Sequence, residues 1–105
     1  MSDDTDVPRL VDENGLVKLF ANRTRSRILV TLFYADGPLT VAEIADGAGI
    51  YQSAAHEALD PLSAFDIFET GERDGETTYQ FVEDDDLVAE VRSVARLATE
   101  RIHPE

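Results

Sequence analysis

The chain has 105 residues, 43 % of them apolar, and carries 22 acidic against 9 basic side chains, a formal net charge of −13. That length suffices for one domain with one core and not for two, and the charge opposes long-range attraction to nucleic acid or anionic membranes. Cysteine is absent, which excludes disulfides, thiolate metal ligation and thiol redox chemistry within the chain.

Residues 1 to about 9, MSDDTDVPR, are polar and acidic and include Pro8, and they predict a flexible tail outside the core. Residues 10–105 are expected to form the domain. No run approaches the roughly 20 apolar residues needed to span a bilayer, so a cytoplasmic protein with no membrane association is expected. Leu16, Leu19 and Phe20 recur at helical spacing after Asp12, a candidate N-cap, and predict a first helix ending near Ala21. Thr24 is a second candidate cap, followed by Ile28, Leu29, Leu32 and Phe33 on one face. Asp36-Gly37-Pro38 stops that helix.

Thr40-Val41-Ala42-Glu43 has the form of a capping box, in which the Thr hydroxyl and the Glu carboxylate satisfy each other's backbone donors. The helix it opens presents Val41, Ile44 and Ala45 inward and ends at Gly47-Ala48-Gly49, where glycines permit a tight turn. Ile50 plugs the corner. The next helix shows Ala55, Leu59 and Leu62 on one face. Pro61 removes a backbone donor and clashes with the Glu57 carbonyl, so this helix is expected to stop near Leu59, with Asp60 capping a fresh turn. Two helices joined by a glycine turn make a helix-turn-helix.

Alternation follows. Ile67 and Phe68 open one strand, and Thr77, Tyr79 and Phe81 share a face of another, with Thr78, Gln80 and Val82 opposite. Arg73-Asp74-Gly75 lies between them, and Asp-Gly between alternating runs predicts a β-hairpin over 67–82. Glu83 to Asp86 suit the start of a last helix, about 85–102, by their charge against its dipole. Leu87, Val91, Val94 and Ala98 recur along it with Val88, Ala95 and Ile102 alongside, a seam that buries well only against a partner helix.

The acidity is spread along the whole chain, and Lys18 is the single lysine among the basic residues. Such a composition resembles that of proteins from salt-loaded cytoplasms, where self-repulsion is screened within roughly 3 Å at 1 M salt. On that reading the charge reports habitat more than partner.

Read together, the sequence predicts a mainly α fold with a small β-hairpin, a winged helix-turn-helix. From about Leu16 to Phe81 it resembles the arsenical-resistance-repressor (ArsR) type of regulator, and its acidity makes it look like a haloarchaeal member. The resemblance rests on FANRTRSRILVTLF and LTVAEIADGAGIYQSAAHEAL, in which Thr24, Arg25, Arg27, Ile28, Leu29, Leu39, Glu43, Ile44, Ala45, Ile50, Gln52, Ser53 and Leu59 fall on the family pattern. It implies a homodimer built from the first and last helices, a recognition helix in the major groove of double-stranded DNA, a wing near the flanking minor groove, and transcriptional control. Where the family often has Ser-Arg-His and then Lys, this chain has His56-Glu57-Ala58 and Asp60, followed by Pro61.

The candidate base readers are Tyr51, Gln52, Ser53, His56 and Glu57. Gln52 can pair bidentately with adenine, Glu57 can accept from cytosine N4, and His56 can donate to guanine, none of which needs a positive charge. The alternative is that Glu57 and Asp60 belong to a solvated acidic face. Arg23, Arg25 and Arg27 crowd the start of a helix, where cations oppose the dipole and a bound phosphate resolves the conflict. Alternatively they pair with Glu43, Glu90 or tail carboxylates. Arg73 suits a narrow minor groove, or else forms an ordinary solvated tip among Glu72, Asp74 and Glu76. From Thr40 to Phe81 the acids Glu43, Asp46, Glu57, Asp60, Asp66, Glu69, Glu72, Asp74 and Glu76 face this one base.

The candidate dimer residues are Leu16, Leu19, Phe20, Leu87, Val88, Val91, Val94, Ala95, Ala98 and Ile102. No metal site or cofactor is expected, since the last helix offers only His103. Ser53 and His56 lack a third catalytic member, so an enzyme is not expected. No residue pattern names an effector. The competing reading is a winged-helix module that binds another protein and does not contact DNA directly.

Overall fold

The computed structural model describes residues 6–104. The expected tail ends earlier than Arg9. Asp6 caps α1 (Val7–Glu13) by accepting from the Arg9 amide at 3.4 Å, with Pro8 in the first turn, where a missing N–H costs nothing. Residues 1–5 of that tail lie outside the described part. The single helix expected from Asp12 to Ala21 is two short ones. Asn14 ends α1 and caps α2 (Gly15–Leu19), its side chain accepting from the Leu16 amide at 2.8 Å. Asn14 adopts the extended backbone a cap requires, whereas Asp12 lies inside α1. Likewise Asn22, not Thr24, caps α3 (Arg23–Tyr34), accepting from the Arg25 amide at 2.9 Å.

β1 (Leu39–Thr40) leads into α4 (Val41–Ala48), where the capping box is present. The Glu43 amide donates to Thr40 Oγ1 at 3.2 Å and the Thr40 amide donates to Glu43 Oε1 at 2.9 Å. Only Gly49 turns the chain, at φ +69°. Gly47 sits within α4, and a Cβ there would stand 2.7 Å from Thr31 Cγ2, so its role is the close crossing of α3 and α4.

α5 (Gln52–Ser63) runs on through Pro61 and does not stop near Leu59, and Asp60 caps nothing. Leu59 and Leu62 are both fully buried, so the core holds the last turn. The proline lies close enough to the end to delete one intrahelical bond, to Glu57, and little else.

The hairpin of β2 (Phe68–Arg73) and β3 (Glu76–Phe81) turns through Asp74 and Gly75 at φ 54° and 82°, the left-handed pair that matches strand twist. β1 adds a third antiparallel strand in the order β1-β3-β2, with Leu39 opposite Tyr79 and Thr40 opposite Thr78. That docking buries Thr78, while Thr77 is exposed near the tip, where the core has run out. Asp85 caps α6 (Asp86–Ile102) on the Val88 amide at 3.0 Å.

The core is formed where α3, α4 and α5 meet, around Ile28, Leu29, Ile44, Leu59 and Leu62. Phe33 packs on Phe81 in a tilted arrangement at 4.7 Å between centroids, joining the sheet to α3. Leu19 and Val88 are buried in this same core, so these two dimer candidates are spent within one chain, and Phe20 and Val91 are partly buried against it. No helix among the described residues is long and apolar enough to cross a membrane.

Candidate nucleic-acid interface

α4, the Gly49 turn and α5 form the helix-turn-helix, and its inward side chains leave a single outer face. Tyr51, Gln52, Ser53, His56 and Glu57 are all exposed on it, Tyr51 at 85 %. Tyr51 occupies the cap position without a side-chain hydrogen bond, so the first amides of α5 have no side-chain acceptor. Such amides suit an anionic oxygen, a feature that reading for basic residues passed over.

A groove of about 680 Å³ separates α5 from the wing and is lined by Ser53, His56, Glu57, Asp60, Ser63 and Tyr79. Beside it lies a second of about 350 Å³, reached by Gln52, Val41, Glu76 and Thr77. Ser53, His56 and Tyr79 line both. Tyr79 was legible only as a strand residue sharing a face with Thr77 and Phe81, because nothing in strand alternation says that α5 will stand over it.

Arg25 and Arg27 of α3 are engaged with main-chain oxygens and not with Glu43 or Glu90. Arg25 donates through Nη1 to the Lys18 carbonyl, and its buried Nε has no partner. Arg27 Nε donates to the Ala48 carbonyl at 2.5 Å, at the negative end of the α4 dipole. The crowding of cations at the start of α3 thus has a structural use, binding α3 to α2 and to α4. Arg23 is exposed and makes no ion pair among the described residues.

Arg73 ends β2 opposite Glu76 and does not project from the tip. It pairs with Glu43 and donates to the Pro38 carbonyl at 3.4 Å. The Thr40 amide, and after it the Arg73 guanidinium, hold the Glu43 carboxyl below its ordinary range. With Arg73 so paired, the outer face of α5 and its grooves carry Glu57, Asp60 and Glu76 without a compensating cation. Among the described residues no group of His, Asp and Glu is placed to hold a metal ion.

No family model and no curated protein matches this sequence. Solved structures do. The AntR antimony-specific transcriptional repressor superposes with a TM-score of 0.69 at 23 % identity, over 99 % of this chain and 87 % of that one. A homodimeric winged helix-turn-helix DNA-binding domain from Mycobacterium bovis, a possible ArsR-family transcriptional regulator, gives 0.62 at 25 % identity, over 100 % and 92 %. The human N-acetylserotonin methyltransferase gives 0.54 at 27 % identity, over 79 % of this chain but 25 % of the enzyme. These likenesses show the fold, a mostly helical winged helix-turn-helix with a small antiparallel sheet.

Proposed function

We propose that this chain is a DNA-binding transcription regulator of the ArsR-like kind, acting as a homodimer in a high-salt cytoplasm. The observation that carries the reading is the exposed face of α5, with Tyr51, Gln52, Ser53 and His56 presented beside a wing. The fold shared with two DNA-binding regulators supports it. Gln52 and His56 read base edges, with Glu57 accepting from cytosine. Phosphate contact falls to Arg23 and to the first amides of α5, while Arg25 and Arg27 chiefly hold α3 in place. The wing approaches the flanking groove with Arg73 when Glu43 releases it. The exposed Leu16, Leu87, Val94, Ala98 and Ile102 form the dimer seam.

The acidic composition and single lysine support a salt-adapted, archaeal source. A basic binder making 6–10 phosphate contacts loses roughly 10³–10⁵ in affinity between 50 and 200 mM salt, so Coulomb attraction is no strategy in a molar-salt cytoplasm. Hydrogen bonds and shape take its place, and an acidic face approaching phosphate takes up cations on binding.

Chromatin capture of the tagged protein, followed by binding of the recovered DNA across a KCl series, tests this. Sharp peaks upstream of genes, affinity held or rising in molar KCl, and its loss in Gln52→Ala are expected. Binding that only weakens with salt would sink the cation-uptake mechanism, and absent peaks would sink the DNA-binding role. The second reading, a protein-interaction module, draws on the internal pairing of Arg25, Arg27 and Arg73 and the unpaired acids on α5. Under it, Gln52→Ala leaves capture of the partner protein unchanged and no promoter DNA is recovered.

A further inference from the structure

Beyond its first turns, α6 runs beside α3 and leaves a groove of about 300 Å³, lined by Val30, Phe33, Tyr34, Arg92, Ala95 and Thr99. At 3.6 residues per turn, Arg92, Ala95 and Thr99 continue the face on which Val88 enters the core. The exposed Leu87, Val94 and Ala98 lie roughly a third of a turn away. The groove is therefore set apart from the exposed stripe of Leu87, Val94 and Ala98, and of the dimer candidates it takes in only Ala95.

Its chemistry is unusual for this molecule. Val30, Phe33 and Ala95 supply apolar wall, and the Arg92 guanidinium lies 5.2 Å from the centre of the Phe33 ring. An arginine laid on a ring keeps its edge N–H groups free, in the planar fork that matches a carboxylate. Among the described residues the Arg92 side chain makes no hydrogen bond or ion pair, in a chain whose acids outnumber its bases 22 to 9. Arg96 and Glu100 at the rim pair with each other at 3.2 Å. Two arginines against one glutamate leave one net positive charge, and the volume sits at the small end of ligand pockets.

We propose that this groove binds a small apolar monocarboxylic acid, its carboxylate forked on Arg92 and its body against Val30, Phe33 and Ala95. A neutral ligand leaves the arginine unmatched, and a more highly charged anion meets Glu100. The bound acid bridges α6 to α3, so it stiffens the helix that carries the self-association stripe.

The test is a heteronuclear NMR titration of the full chain with benzoate, and with benzamide as its neutral counterpart, at a KCl concentration that keeps the chain folded. Saturable shifts confined to Val30, Phe33, Tyr34, Arg92 and Thr99 are expected, with dissociation in the millimolar range normal for so small a ligand. Arg92→Gln, on an exposed position, should weaken benzoate about tenfold, the usual loss for a charged hydrogen bond, and leave benzamide unchanged. Ala95→Leu should fill the groove and abolish both. No saturable shift, equal binding of benzoate by Arg92→Gln, or shifts mapping to Leu87, Val94 and Ala98 would each overturn the proposal, the last by showing that the acid competes at the self-association stripe.

Discussion

Glu43 serves two structures with one carboxylate: it closes the capping box of α4 by accepting from the Thr40 amide at 2.9 Å, and it holds Arg73 of the wing. Its ionised form is favoured in the folded state, so its folded pKa lies below the ordinary value of 4.5. A carboxyl of that kind contributes stability above its unfolded pKa and loses that contribution as pH falls through the folded one. The melting temperature of the wild type should therefore exceed that of Glu43→Gln near neutral pH. The gap should close as the pH drops below the usual glutamate range. Both side chains are about half exposed, so the gap will be modest. A gap of constant size down to acid pH would show that the amide, not the charge, is what α4 requires. The capping box was legible because Thr and Glu stand three apart; Arg73 as their third member was not, since it arrives from 30 residues away.

At the scale of elements, the crossing of α3 over α4 depends on what Gly47 lacks. Helix propensity alone favours Gly47→Ala by about 1 kcal/mol, but the new Cβ would stand 2.7 Å from Thr31 Cγ2. Overpacking of this kind costs about 1–3 kcal/mol. We expect Gly47→Ala to destabilise in urea unfolding, and Thr31→Ser added to it to restore most of the loss, because serine keeps the hydroxyl bond to the Arg27 carbonyl at 2.8 Å without the methyl. If the single change stabilises, the crossing is looser than described. Apolar spacing located α3, α4, α5 and α6 and the inner faces of the first three, since burial of Ile28, Ile44 and Leu59 is written in periodicity. Ends were harder to place. Asn22 and Thr24 are both competent caps, and the choice rests on which backbone is extended, here that of Asn22. Pro61 marks a break in an isolated helix, but Leu62, buried beyond it, keeps α5 intact.

The whole molecule measures 58 × 37 × 28 Å, elongated for its size. Val94 is 60 % exposed and Leu97 46 %, on a helix otherwise anchored by Val88 and Val91. In the proposed homodimer Val94 lies in the seam, and Val94→Glu should raise the dimer dissociation constant by at least about tenfold through an unpaired buried charge. Light scattering in molar KCl measures it, and unchanged circular dichroism confirms that the protomer stays folded. A dimer indifferent to the change would move the interface off α6. Here too the reading of sequence was partial: the heptad-like spacing identified what is apolar on the last helix, but spacing cannot divide one stripe between a chain's own core and another chain. Leu19 and Val88 went to the first, and Leu97, unmarked by the seam, stands exposed.

α1 is where that division has its sharpest result. Its seven residues bury no side chain, and Val7, Leu10 and Val11 all stand in solvent. A segment far below the roughly 12–15 residues at which isolated helices become marginal owes its order to something outside itself. Caps and the Arg9 ion pairs with Asp6 and Glu13 give only local support. In the proposed dimer, assembly and the winding of α1 become one coupled folding event. Dilution should then unwind α1 before any other element melts, and the amides of Leu10 and Val11 should exchange with deuterium at a rate set by protein concentration.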